Sequence, residues 1–299
     1  MRTVYLGTSE FAVAVLEHLA ASAQRPVLVV TRPDRPRGRG RKVRPPPVAE
    51  AAGRLGLERF QPQDVNDADA RTRIAEAEPE EVCICGFGAL LKEPLLSQHE
   101  MLNVHPSLLP RWRGAAPIER AIEAGDEATG VSIMRPTQEF DAGPVCLQRA
   151  ESIRPEDDYG SLAARLAHLG GGLLVEALDT RPACSEQPQE GVTHAWKIER
   201  EERRLDPGRM ADELERRVRA LTPHIGAYVE LPSGGRLGVS RAALAPTADL
   251  EPGELARHDG RLLYGAASGA LELLEVQPEG KRPMQAADWL RGHADQLAR

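Results

Sequence analysis

Aromatic residues make up only 4% of this 299-residue chain. Its core cannot rest on large rings, so Ala, Leu, Val and Ile must fill it within a hydrophobic share of 41%. Long apolar runs are also missing. No stretch approaches the roughly eighteen apolar residues of a spanning helix. The opening Met1-Arg2-Thr3-Val4-Tyr5-Leu6-Gly7 is too short an apolar run for the core of a signal peptide. The cytoplasm is therefore the expected compartment, with no membrane partner. Cysteine is sparse. Cys83, Cys85, Cys146 and Cys184 include no C-x-x-C pair. A zinc site would need a second ligand pair that the sequence does not offer, so no metal is expected. Val82-Cys83-Ile84-Cys85 reads as a buried strand in which cysteine acts as a small apolar residue. The net charge of -7 argues mildly against a general nucleic-acid binder, although a local basic patch can outweigh an average.

Glycine is lacking where a dinucleotide site would need it. Arg2 to Leu6 reads as a strand, Gly7-Thr8-Ser9 as a turn and Phe11 to Ala21 as an amphipathic helix. Of a G-x-G-x-x-G fingerprint only Gly7 is present, so a backbone cannot approach a pyrophosphate closely and NAD binding is rejected. Further apolar strands follow at Pro26 to Val30, Val82 to Cys85, Leu102 to Val104 and Val131 to Met134. Helical stretches lie at Val48 to Leu55 and at Pro117 to Ala124, where Pro117 suits a first turn. Short apolar strands alternating with helices predict an α/β fold, a doubly wound, Rossmann-like parallel sheet. Periodicity disappears in the Pro/Gln/Glu-rich stretch Arg181 to Gly191, which reads as a linker. Beyond it come a helix at Met210 to Ala220 and short β-like runs at Ala227 to Leu231, Arg236 to Ser240, Arg261 to Tyr264 and Leu271 to Val276. Short strands with frequent turns predict a small barrel. The expected division is 1–182, a linker at 183–205, and 206–299.

The chemistry concentrates in Asn103-Val104-His105-Pro106-Ser107-Leu108-Leu109-Pro110 and the later Asp141-Ala142-Gly143. In an extended chain, side chains two residues apart point to one face, roughly 7 Å apart. Asn103 and His105 would thus bring an uncharged donor and a titratable base into one space. A donor, a base and a later acid are the minimum set for acyl transfer. Asn103 would hold the oxygen of a tetrahedral carbon, and His105 would accept a proton from an attacking amine. Asp141 would either accept from the other ring nitrogen, fixing the tautomer, or steer a water or amine proton directly. The sequence leaves both roles open, and it also leaves open a His105 that mainly donates to the oxyanion.

Asn-x-His-x-Ser-Leu-Leu-Pro followed by Asp-x-Gly resembles the folate-dependent formyltransferases, which move a formyl group from 10-formyltetrahydrofolate to an amine. The longer run from Leu102 through Arg111-Trp112-Arg113-Gly114-Ala115-Ala116-Pro117 is similar to the members that act on methionyl initiator tRNA. So are Thr193 to Ile198, Val218 to Pro223 and Gln277 to Met284, although Pro207 stands where an aromatic usually follows Asp206. The resemblance implies 10-formyltetrahydrofolate as co-substrate, no metal, and an OB-like C-terminal domain. It implies a pterin cleft made by Phe87, Gly88, Leu90, Ser107, Leu108, Leu109, Pro110 and Thr137. A flat ring with amide-like edges is well held by main-chain groups in an apolar slot.

Between Thr31 and Pro47, Arg35, Arg37, Arg39, Arg41, Lys42 and Arg44 crowd into ten residues among Gly and Pro. No hydrophobic periodicity exists to fold them, so an exposed, mobile loop is expected. Six like charges repel one another, and an anionic partner explains them economically. The pattern Pro-Asp-Arg-Pro-x-Gly-Arg-Gly resembles the family's tRNA-inserting loop, which implies an initiator-tRNA partner with Arg39 the foremost contact. Arg203, Arg204, Arg216, Arg217, Arg219, Arg236, Arg241, Lys281 and Arg282 would hold the tRNA body. An amino sugar nucleotide or glycinamide ribonucleotide is the competing acceptor, but neither needs a basic loop or a second domain. A monomer is expected.

Overall fold

The short apolar runs become strands, buried on both faces because helices cover them. The computed structural model describes residues 1–37, 42–245, 250–293 and 297. They cluster into two units. One comprises Met1–Pro117, Ala128–Ser152 and Ala163–Ala195, the other Ile118–Glu127, Ile153–Leu162 and Trp196–Arg299.

In the first unit the strands are β1 (Thr3–Gly7), β2 (Pro26–Val30), β3 (Arg35–Arg37), β4 (Lys42–Arg44), β5 (Arg59–Phe60), β6 (Glu81–Cys85), β7 (Met101–His105), β8 (Arg113–Gly114), β9 (Ala128–Met134), β10 (Val145–Ser152) and β11 (His194–Ala195). Seven form one sheet in the order β10-β9-β7-β6-β1-β2-β5. β5, β2, β1, β6 and β7 run parallel, as the alternation predicts. β9 runs antiparallel to β7 and β10 and makes the sheet mixed. The chain winds outward from β1 through β2 to β5, then returns to β6 on the other side. Ligands of such sheets bind at the carboxyl ends of the strands, near that reversal.

One face packs Val4, Leu6, Leu28, Val30, Val82, Ile84 and Phe87 into a cluster. The other carries Tyr5, whose hydroxyl donates to Ala12 O at 2.6 Å in α1 (Glu10–Ala21), a helix capped by Ser9. Burial pushes the Cys85 thiol up to about 12 and the Cys83 thiol higher still, so both behave as apolar groups. The remaining helices of the chain's first part are α2 (Pro47–Arg54), α3 (Ala68–Ala75), α4 (Leu95–Gln98), α5 (Pro117–Ala124) and α6 (Tyr159–Thr180).

Two features go beyond the sequence reading. First, α6 runs 22 residues through Gly170-Gly171-Gly172. Each glycine costs about 1 kcal/mol against alanine in a helix. A Cβ on Gly170 would stand 2.9 Å from Val104 Cγ1, and one on Gly171 2.6 Å from the His18 ring. The glycines let α6 lie directly on β7 and α1. Second, part of the stretch read as a linker is not slack. Cys184 forms a disulfide with Cys146, and Ser185 exchanges backbone hydrogen bonds of 2.8 and 2.9 Å with Val145. Gln187 is buried.

The second unit contains α7 (Ala211–Leu221), β12 (Ala227–Glu230), β13 (Arg236–Leu244), β14 (Leu255–His258), β15 (Arg261–Gly265), β16 (Ala270–Pro278), β17 (Met284–Gln285) and α8 (Ala286–His293). Its six-stranded sheet follows β12-β13-β16-β15-β14 with β17 on β16, and every pairing is antiparallel. Leu237, Val239, Leu271, Leu273, Val276 and Trp289 are fully or almost fully buried. The small, turn-rich sheet agrees with the OB-like expectation, though its ladder does not close on itself among the described residues. No helix among the described residues is long and apolar enough to cross a membrane.

Candidate active site

β7 turns alternate side chains to opposite faces. Val104 goes to the α6 side, and Asn103 and His105 go to the other. Asp141 arrives from the loop after β9. That loop closes through Arg135 N–H donating to Pro144 O at 2.9 Å. Gly143 allows the closure, since a Cβ there would lie 2.0 Å from Arg135 O. The three predicted groups converge. Asn103 Nδ2 stands 3.5 Å from Asp141 Oδ1, and His105 Nδ1 3.5 Å from Asp141 Oδ2. Asn103 Nδ2 also lies 3.7 Å from Met134 Sδ.

Main-chain groups set the chemistry of this cluster. His105 Nε2 lies 2.9 Å from Trp112 O. A carbonyl oxygen only accepts, so this contact is a hydrogen bond for the ring tautomer that carries its proton on Nε2. In that tautomer Nδ1 is an acceptor facing Asp141. The Asp141 carboxylate, itself only an acceptor, faces Nδ1 at the longer distance of 3.5 Å, so two acceptors compete for the single proton of a neutral ring. Gly114 N–H donates to Asp141 Oδ2 at 2.9 Å and pins the carboxylate. Trp112 and Asp141 hold left-handed φ values of 64° and 50°. A bulky residue there stores strain of about 1–3 kcal/mol, which the surrounding contacts must outweigh. His105 is only 4% exposed, so bulk water has little access to its ring. The roles of Trp112 and Gly114 were hidden in the sequence, because a backbone carbonyl or amide leaves no residue-type signature.

The residues matched to a pterin cleft divide. Gly88 is exposed with φ 74°, and Gly86 is exposed with φ 49°. Leu90 and Thr137 are exposed, Leu108 and Pro110 are half-buried, and Phe140 beside Asp141 is 64% exposed. Phe87, Ser107 and Leu109 are buried. Ser107 Oγ donates to Arg111 O at 2.6 Å, and its carbonyl accepts from Ser132 Oγ at 2.6 Å. The Leu109 amide donates to the same serine at 3.1 Å. Ser107 and Leu109 shape the loop from within, and Phe87 packs into the core cluster. The surface left to a ligand is the main chain at 86–88 and the side chains of Leu90, Leu108, Pro110, Thr137 and Phe140. A cavity of about 230 Å³ lies elsewhere, at the amino ends of β6 and β7, among Glu81, Glu100 and Arg135.

The basic segment is not a structureless loop. β3 and β4 pair antiparallel, setting Arg35 opposite Arg44, Pro36 opposite Val43 and Arg37 opposite Lys42. A hairpin needs only main-chain pairing, so hydrophobic periodicity was the wrong signal. Arg35, Lys42, Val43 and Arg44 are exposed. Arg39 and Arg41 lie outside the described residues.

Several arginines of the second unit are engaged within it. Arg204 pairs with Glu230 at 3.1 Å, Arg216 with Asp212 at 2.8 Å, Arg217 with Glu123 at 2.7 Å and Arg219 with Glu215 at 2.8 Å. Arg236 covers the Tyr228 ring at 4.5 Å. Arg120 bridges Glu123 and Glu202, and its hydrogen bond holds the Glu202 carboxyl below the usual range. Arg241 and Arg282 are exposed.

Residues 1–178 match the family described as Formyl transferase, and residues 197–294 match Formyl transferase, C-terminal domain. The chain is similar to Methionyl-tRNA formyltransferase of Methylococcus capsulatus, 44% identical over 98% of this chain and 97% of the relative. It is likewise similar to Methionyl-tRNA formyltransferase of Paracoccus denitrificans, 42% identical over 98% of each chain. HypX from Aquifex aeolicus, solved in complex with tetrahydrofolic acid, shares the fold at a TM-score of 0.65. That match has 19% identity and covers 99% of this chain and 48% of HypX. Match and geometry agree: the chain belongs to the formyl transferase family.

Proposed function

We propose that the protein transfers the formyl group of 10-formyltetrahydrofolate to the α-amino group of methionyl initiator tRNA, supporting translation initiation in the cytoplasm. The observation that carries the chemistry is the 2.9 Å contact of His105 Nε2 with Trp112 O, the shorter of the two ring contacts. With Nε2–H held by Trp112 O, the Nδ1 lone pair faces the space shared by Asn103 and Asp141. As the substrate amine attacks the formyl carbon, a C–N bond forms and the carbonyl π pair moves onto oxygen. The Asn103 amide donates to that oxygen, a contribution of about 3 kcal/mol to the barrier. His105 Nδ1 takes the proton the amine must lose, worth about 10²–10⁴-fold. The imidazolium so formed faces the Asp141 carboxylate. It returns its proton to the departing folate nitrogen as the tetrahedral carbon collapses to the formamide. The amine of an ester-linked amino acid has a depressed pKa, so a histidine base suffices.

The donor fits the exposed main chain at Gly86 and Gly88 and the apolar surfaces of Leu90, Leu108 and Phe140. The acceptor assignment rests on the full-length likeness to Methionyl-tRNA formyltransferases and on the basic hairpin. Arg35, Lys42, Arg44 and the outlying Arg37, Arg39 and Arg41 would meet the tRNA near its charged end, and Arg241, Lys281 and Arg282 its body. The test is formyl transfer by purified protein from 10-formyltetrahydrofolate to charged initiator tRNA, an amino sugar nucleotide and glycinamide ribonucleotide in parallel. Transfer only to the nucleotide acceptors overturns the tRNA reading, and transfer to none overturns the reaction.

A further inference from the structure

We propose that Gln187 is the positioning residue that holds Asp141 in its reactive place. The inference rests on the reading of Asn103, His105 and Asp141 given above. The carboxamide of Gln187 joins two segments that meet at the site. Its Nε2 donates to Asp141 O at 2.7 Å and to Gly143 O at 2.7 Å, and so grips the loop on both sides of Ala142. Its Oε1 accepts from Arg113 Nε at 2.9 Å. The residue after Arg113 is Gly114, whose N–H holds Asp141 Oδ2. One side chain therefore fixes the backbone that carries the carboxylate and also the strand that pins it.

The site needs such a grip. Asp141 has φ 50°, a conformation its own backbone does not favour. Gln187 and Arg113 are 7% and 6% exposed, so water does not replace these bonds readily. Gln187 is delivered from a fixed backbone, because Ser185, just before it, exchanges main-chain hydrogen bonds with Val145. Two carbonyls call for donors and a guanidinium calls for an acceptor. A carboxamide supplies both from one position, and neither a carboxylate nor an apolar side chain does.

The test compares Gln187→Met and Gln187→Glu with the wild type. The methionine variant keeps the volume and removes the bonds. Its kcat should fall about 10–100-fold, as for a misplaced reacting group, with KM for both substrates within about twofold. In an Asp141→Ala background the same substitution should change kcat by less than about twofold, because its route to the reaction is gone. The glutamate variant regains one donor when protonated, so its kcat relative to wild type should rise as pH falls. Amide exchange at Gly114 should accelerate in the methionine variant while exchange at Glu81–Cys85 keeps its wild-type rate. Should Gln187→Met not fold, Gln187→Asn keeps the amide one carbon shorter and should lose about 3–10-fold by the same pattern. Wild-type kcat, an equal loss without Asp141, or unchanged Gly114 exchange overturns the proposal. The exchange measurement needs no turnover. It therefore judges the positioning even if the formyl-transfer reading fails.

Discussion

The strand end that bears Asn103 and His105 and the hairpin that bears Arg35 and Arg44 both follow the carboxyl ends of strands in one sheet. They solve opposite problems. At the strand end neighbouring main-chain groups hold the polar side chains. His105 is buried, its Nε2 lies 2.9 Å from Trp112 O, and Asp141 is fixed by Gly114 N–H. On the hairpin, like charges are set directly opposite and left in solvent. A facing Arg–Arg pair destabilises its own strands by a few tenths of a kcal/mol to about 1. One region preorganises dipoles for a reaction, and the other keeps charge unsatisfied for a partner. Chemistry and affinity should therefore separate by mutation.

The largest separation comes from the strand end. His105→Ala should lower kcat by about 10²–10⁴-fold and Asn103→Ala by about 10²–10³-fold. Both should bind charged tRNA with wild-type affinity and wild-type salt dependence, measured by filter binding across a salt series. Weakened binding in either variant would show that the two regions are not separate. Next is Gly143→Ala. The added Cβ has no room beside Arg135 O, so the Asp141 loop must move. A displacement near 1 Å is worth about 10²-fold in kcat, again with tRNA binding intact. A Gly143→Ala enzyme with normal kcat would mean that the carboxylate's placement is not limiting.

How much of this was legible in the sequence follows the same division. Asn103 and His105 were readable because period-2 spacing turns both to one face, and Asp141, far along the chain, was readable through the resemblance of its Asp-x-Gly to the family's motif. Trp112 O and Gly114 N–H were not, because they belong to the backbone. α6 was hidden by three consecutive glycines, which argue against a helix until Val104 and His18 are seen beneath them. The hairpin's charge was plain, but its pairing was not, since no buried face enforces the register. The arginines of the second unit looked like a nucleic-acid surface. Arg204, Arg216, Arg217 and Arg219 are partnered by carboxylates of their own unit, and of these the Arg204–Glu230 and Arg217–Glu123 pairs are visible only in coordinates.

The hairpin supplies the smaller effects. Arg35→Glu converts the Arg35–Arg44 pair into opposite charges and should steady the hairpin, yet remove attraction for phosphate. KM for tRNA should rise about tenfold or more, and the slope of log affinity against log salt should shrink by about one unit per lost contact. kcat at saturating tRNA should stay near wild type. A tRNA affinity unchanged by Arg35→Glu would remove the hairpin from the interface. Val43 probes what remains. It is 65% exposed among the basic residues and faces Pro36 across the hairpin. If the segment works through charge alone, Val43→Thr should leave stability within about 0.5 kcal/mol and tRNA kinetics unchanged, because it alters neither charge nor β-branching. A clear rise in KM for tRNA, with the salt slope unaltered, would mean that the hairpin also packs an apolar surface against its partner. The contrast between a preorganised strand end and a purely electrostatic hairpin would then have to be redrawn at that one residue.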